Sequence, residues 1–185
     1  ASSRATDLVN GVDTNGGNDT FLYEREAGTI ELVSHAADSS TTAANGGSLP
    51  VALSADGRWA LFHTTSTNLV AGISDGNATS DVYVYDANSG SNRLVSSASA
   101  SATATANGSA AAKAISADGR FLTYQSNATN VVAGVADANG GEDVYVYDRV
   151  QGTSVLVSRT AALATTTANG RSYAEKISAD GRWVL

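Results

Sequence analysis

Short apolar runs alternate with long polar stretches along this chain, and the runs return in the same order. The segment DVYVYD at 81–86 alternates strictly. In a strand this puts Val82 and Val84 on one face and Tyr83 and Tyr85 on the other. Both faces are apolar, so the pattern predicts a strand covered on both sides. RWALFHTT (58–65) is an apolar run that follows an Asp-Gly turn. NRLVSS (92–97) is reached through ANSG (87–90), which has the small polar residues and glycine of a hairpin loop. AAAKAIS (110–116) is a fourth run, leading through Ala-Asp-Gly into the next. The spacing therefore predicts four antiparallel strands per unit and no helix. The Ala-rich stretch SASASATATANGSAAAKA (97–114) reads as an extended linker, because Ser/Thr alternation and an internal Asn-Gly oppose a helix.

The unit recurs. SADGR stands at 54–58, 116–120 and 178–182, and ANG at 44–46, 106–108 and 168–170. DTFLYE (19–24) is matched by DVYVYD at 81–86 and 143–148. Every landmark returns after 62 residues. The repeats, counted from the first residue, run over 1–61, 62–123 and 124–185, in a single β domain. Four short strands repeated with buried aromatic faces are the signature of a β-propeller blade. The fold expected is all-β, with three four-stranded antiparallel blades. Each period is longer than the ~40–45 residues of an ordinary blade. The excess lies in the loop before DVYVYD and in the Ser/Thr/Ala linker before ANG. Insertions that recur in every repeat point to function, and long surface loops cost little closure entropy.

The phrase IS-ADGR-(W/F), an apolar strand, D-x-N-G-x-x-D-V-Y-V-Y-D and then LVS together resemble the TolB-like β-propeller repeat. The version they are most similar to is the long-loop one of large secreted or cell-surface bacterial proteins. The resemblance covers all three repeats. It implies a propeller and a bacterial protein that is extracellular, surface-displayed or periplasmic. Such propellers serve as binding platforms of many kinds. The family's usual proline in S-P-D-G is alanine here in every copy; Asp-Gly alone still makes the turn.

Leu185 aligns with Leu61, so the chain starts and stops inside one strand of the repeat. Three blades are too few for a ring. Two arrangements are expected: a segment of a longer propeller, or self-association, with two chains of three blades closing one ring. The absence of Met, even at residue 1, points to a processed product or a piece of something larger.

Composition narrows the partners. The net charge is −7, which argues against nucleic acid or an anionic membrane. No apolar stretch is long enough to span a bilayer. With no Cys, neither disulfides nor a Cys-ligated zinc site can exist.

The candidate chemistry lies in the acidic loop before the aromatic strand: DTNGGND (13–19), DGNATSD (75–81) and DANGGED (137–143). These windows hold seven of the eighteen acidic residues. Asp13, Asn15 and Asp19, with their equivalents Asp75, Asn77, Asp81 and Asp137, Asn139, Asp143, are candidate ligands for Ca²⁺. Calcium takes six to eight hard oxygens, which Asp and Asn at alternate loop positions can supply. Asx-turns, in which the same side chains cap their own backbone, are the alternative. Repeat two lacks the Asn-Gly pair and is the weakest candidate. The aspartates and arginines of SADGR (Asp56, Asp118, Asp180; Arg58, Arg120, Arg182) read as turn residues, with an Arg–Asp contact between blades. Asn45, Asn107 and Asn169 of ANG read as turn residues too. Phe21, Tyr23, Tyr83, Tyr85, Tyr145 and Tyr147 read as interblade packing, or as a sugar-stacking platform if exposed. His35 and His63 are unrepeated and read as solvated. No nucleophile elbow, zinc-protease motif or phosphate loop is present.

The function expected is non-catalytic: a secreted or cell-surface propeller, stabilised by Ca²⁺ and serving as a scaffold, adhesion or binding surface for protein or glycan. One alternative is a periplasmic TolB-like protein-interaction module without metal. Another is the propeller of a hydrolase or lyase whose catalytic residues lie outside these three repeats.

Overall fold

The computed structural model describes residues 1–185 and is all-β, without a helix. Its strands are β1 (Ser2–Ser3), β2 (Asp19–Glu24), β3 (Thr29–Leu32), β4 (Ser48–Leu53), β5 (Trp59–Thr64), β6 (Asp81–Asp86), β7 (Ser91–Leu94), β8 (Ser97–Ala98), β9 (Ser101–Thr105), β10 (Ala110–Ile115), β11 (Phe121–Ser126), β12 (Asp143–Asp148) and β13 (Thr153–Leu156). Two complete sheets have the order β4-β5-β6-β7 and β10-β11-β12-β13. A three-stranded sheet, β1-β2-β3, precedes them, and β8-β9 is a separate hairpin. All pairing between named strands is antiparallel.

The two complete sheets share one register. Trp59 lies opposite Asp86 and Leu61 opposite Val84; one repeat later, Phe121 lies opposite Asp148 and Thr123 opposite Val146. Both carry a bulge in the first strand, between Pro50 and Ala52 and between Ala112 and Ala114. The single proline of the chain sits on an edge strand, where its missing N–H leaves no ladder bond unmade.

The structural unit is out of phase with the repeat counted from residue 1. The cuts at 61/62 and 123/124 fall inside β5 and β11. AAAKAIS, which read as the last strand of one unit, forms β10, the first strand of the next sheet. The Ala-rich stretch is extended, as expected, but it is also paired, through β8, β9 and β10.

β6 is covered on both faces. Val82 and Val84 pack with Leu122, Tyr124, Tyr145 and Tyr147 of the following sheet. Tyr83 and Tyr85 pack with Val33 and Ala44 on the side of the preceding one. Five of the six repeated aromatics are buried; Tyr23 is 57% exposed.

Neighbouring sheets also meet through their SADGR turns. Ser54 Oγ donates to Asp56 Oδ1 (2.6 Å) and accepts from the Trp59 N–H (2.9 Å). Gly57 takes a φ of 74°. Arg58 does not reach another sheet: it makes two bonds to Asp86, of 2.8 and 2.9 Å, across the β5–β6 pair. Between sheets, the Ala55 N–H donates to the Ala117 carbonyl (2.9 Å), and the Ala117 N–H to that of Ala179 (3.0 Å). The Trp59 ring lies flat on Gly119, where a Cβ would overlap the indole, and Phe121 lies on Gly181 in the same way. The Arg149 guanidinium stacks 3.5 Å from the Trp59 centroid and donates to the Gly119 carbonyl (2.9 Å).

Candidate functional site

Each acidic loop enters the strand that carries the paired tyrosines or their equivalents. The strand's first residue, Asp19, Asp81 or Asp143, is buried. The structure brings the three predicted residues of each set together and shows how each oxygen is used.

In the first loop, Asp13 Oδ1 accepts the N–H groups of Asn15 (3.0 Å) and Gly16 (3.3 Å). Asn15 Oδ1 accepts from the Gly17 N–H, and its Nδ2 donates to the Ala44 carbonyl (2.6 Å) and to Asp19 Oδ1 (3.4 Å). The second loop repeats this. Asp75 Oδ1 accepts from the N–H groups of Asn77 and Ala78, both at 3.1 Å. Asn77 Nδ2 donates to the Ala106 carbonyl (2.7 Å) and to both oxygens of Asp81 (3.4 and 3.3 Å). In the third, Asp137 Oδ1 accepts from Asn139 and Gly140, while Asn139 Nδ2 donates to the Ala168 carbonyl (2.6 Å) and to Asp143 Oδ1 (3.4 Å). One loop is thus closed as an Asx-turn and clasped to both the ANG segment and the strand that follows.

A residue that sequence reasoning gave no role completes the clasp. Ser34, Ser96 and Ser158 each donate to the buried aspartate, at 3.0, 2.8 and 2.9 Å. Each also accepts the N–H of the residue after that aspartate, at 3.0 Å in all three. The signal was present in the sequence: LVS recurs at 32–34, 94–96 and 156–158.

Burial raises the carboxyls of Asp19, Asp81 and Asp143 above their ordinary range, against the lowering pull of the serine and asparagine donors. The shift is largest for Asp81, which is pushed up to about 7. Asp13, Asp75 and Asp137 add like-charge repulsion. The ion pairs of the chain, Arg25–Glu26, Arg58–Asp86 and Arg120–Asp148, lie elsewhere.

For a calcium ion the fit is partial. Each loop offers two carboxylates. The asparagine amide is turned so that its N–H₂, not its oxygen, faces the second Asp. Its orientation is set from both ends, by a donor to the oxygen and a carbonyl at the nitrogen. No three His, Asp or Glu side chains gather round one point.

Other predicted positions fall as follows. Asn45 and Asn107 bridge loops rather than cap their own turns: Asn45 Oδ1 accepts from the Thr67 N–H (2.9 Å), and Asn107 Oδ1 from that of Thr129 (2.9 Å). His35, expected in solvent, is buried, with Nδ1 2.8 Å from the Ala36 carbonyl and Nε2 3.1 Å from that of Gly90. A local glance at SHAA in a polar loop gives no sign that the β6–β7 turn will fold over it. The largest cavity, about 640 Å³, lies beside this contact, lined by Leu8, Asn10, Ile30, Glu31 and Tyr85 among others. The Tyr85 hydroxyl donates to Glu31 across it (3.3 Å).

No family model matches the chain, and no curated protein matches it. Among solved structures it is similar to one described as "putative TolB from Agrobacterium tumefaciens", at 16% identity and a TM-score of 0.36. The match covers 90% of this chain and 60% of that one, so the chain spans less than two thirds of that protein's length. No helix is long and apolar enough to cross a membrane.

Proposed function

We propose that the chain is a non-catalytic propeller module of an exported bacterial protein, its four-stranded sheets the blades, serving as a scaffold and binding surface for protein or glycan. The observation that carries this reading is where the repeated polar chemistry goes. Asp, Asn and Ser of the acidic loops and Ser, Asp and Arg of SADGR close on the backbone and side chains of their own neighbourhood, once per unit. Catalysis needs unlike groups converging on one reacting atom. These groups are instead distributed 62 residues apart on successive sheets. The 640 Å³ cavity, with Glu31, Asn10 and the Tyr85 hydroxyl among apolar side chains, is the place for a ligand. Glycan and peptide arrays probed with the 185-residue chain test this. Binding lost in Glu31→Ala and Tyr85→Phe supports the module; turnover of an arrayed glycan, or binding indifferent to both variants, counts against it.

One observation favours calcium as a stabiliser. Asp19, Asp81 and Asp143 are buried, yet none has an Arg or Lys partner. A divalent cation held by the two carboxylates of each loop, with backbone carbonyls, would supply the missing charge. Thermal unfolding in calcium and in excess EDTA decides the point. A midpoint several degrees higher in calcium, reduced in Asp13→Ala and Asp137→Ala, supports it. Identical midpoints leave the loops as hydrogen-bonded turns and end the metal reading.

A further inference from the structure

We infer that the face carrying Trp183 docks head to tail onto the Gly57 face of a second copy of this chain. The argument comes from a contact built twice within the chain and left open at both ends. Trp59 lies on Gly119, and Phe121 on Gly181. The third ring in the series, Trp183, lies on nothing and is 68% exposed, whereas Trp59 is 9% exposed. The first glycine in the series, Gly57, carries no ring: a Cβ there would meet nothing within 4 Å. The turn-to-turn hydrogen bonds have the same two ends. Ala55 donates to Ala117 and Ala117 to Ala179; the Ala179 N–H and the Ala55 carbonyl are left over.

The socket is already shaped. A cavity of about 430 Å³ lies beside Gly57, between it and the free edge of β2, lined by Leu22, Glu24, Leu53 and Ala87 among others. β2 is short of a neighbour there because β1 covers only Asp19 and Thr20. In the complete sheet, Trp59, Ala60 and Leu61 lie opposite Asp86, Tyr85 and Val84. Shifted by one repeat, the same register sets Trp183, Val184 and Leu185 of one copy opposite Glu24, Tyr23 and Leu22 of the next.

Charge agrees with the register. Asp86 caps its turn by accepting from the Asn88 N–H (3.1 Å) and is clamped by Arg58. Glu24 caps the equivalent turn by accepting from the Glu26 N–H (2.9 Å), but no arginine clamps it. Arg182, the third SADGR arginine, makes no ion pair. Docking brings Arg182 onto Glu24, Trp183 into the cavity and the Ala179 N–H onto the Ala55 carbonyl. The interface is heterologous, so it closes only if the rotation per copy allows. The inference rests on the propeller reading for closure alone: a propeller gives a discrete dimer, an open stack a ladder of masses.

Light scattering of the whole chain over a wide concentration range tests this, with acrylamide quenching of tryptophan on the same samples. The result expected is association, with Trp183→Ala and Glu24→Arg each weakening it at least about tenfold. Both residues are exposed, so unchanged circular dichroism is expected in the monomers. Glu24→Arg combined with Arg182→Glu restores association. In this Cys-free chain, a Tyr23→Cys variant mixed with a Val184→Cys variant forms a disulfide between copies. Association as a ladder, lost in the same variants, upholds the docking and removes the ring. A chain that stays monomeric, association indifferent to Trp183 and Glu24, or a monomer in which Trp183 is already shielded from acrylamide overturns the inference.

Discussion

Asp86 and Asp81 are both near the ends of β6, yet their environments push them in opposite directions. The Arg58 clamp holds the Asp86 carboxyl below its ordinary range. Its stabilisation is therefore present above the unfolded-state value and is lost as pH falls through the folded one. Arg58→Ala should cost about 1 kcal/mol near neutrality, because the arginine is partly exposed. That cost should shrink in acid; urea titrations at two pH values measure it. Asp81 is raised to about 7, chiefly by burial. Without metal, the folded protein binds the extra proton, so stability falls as pH rises from the unfolded-state value through about 7. In EDTA, Asp81→Asn should raise the unfolding midpoint at about pH 8 and change it little at about pH 5. A third residue tells of the loops. Ala78 has a φ of 53°, where its counterparts in the other loops are Gly16 and Gly140. Ala78→Gly should stabilise the chain by up to about 1 kcal/mol, the left-handed strain relieved outweighing the entropy lost on folding glycine. At this scale the sequence shows which residues recur but not which atom each one offers. Asn15 looks the same on paper whether its oxygen or its N–H₂ faces Asp19; the Ala44 carbonyl, 29 residues away, decides.

At the scale of elements, the strands were legible because their side chains obey a period of two and their turns carry Asp-Gly or Ser-Gly. The phase of the sheets was not. AAAKAIS pairs forward with β11, and nothing in its own residues states which neighbour it takes. The expected contact between blades through arginine and aspartate proved to lie within one sheet; ring on glycine joins the sheets instead. Gly119 therefore answers two demands, a φ of 69° and a flat seat for Trp59. Gly57 answers only the first within one molecule. Gly119→Ala should cost several kcal/mol, about 1–3 from overpacking on top of the backbone strain, and Gly57→Ala only about 1–2 from the backbone. Chemical denaturation of dilute samples compares them.

For the whole molecule, stability passes from sheet to sheet rather than from one central core. The two largest apolar clusters each join one sheet to its neighbour. The segment from Ser172 to Leu185 has only an isolated bridge, Ile177 with Val184, in place of a ladder. Amide hydrogen exchange should be slowest in β5, β6, β11 and β12, and fast from Ser172 onward. The repeat in the sequence announced this layered build, since each unit buries its faces only against a neighbour. The largest cavity stayed hidden, because the segments that frame it, around Leu8, Ile30 and Tyr85, are far apart in sequence and belong to no motif.

The thread of hydrogen bonds from Ala55 through Ala117 to Ala179 gives the chain a direction, with an acceptor at one extremity and a donor at the other. An object with two unlike extremities can be poisoned at either. A molecule blunted only at Trp183 still receives a neighbour at Gly57 but offers nothing onward. Mixed with the unaltered chain, it acts as a terminator, its potency rising with its share of the mixture, whereas a molecule with two like faces would pair with its own kind and leave the rest untouched.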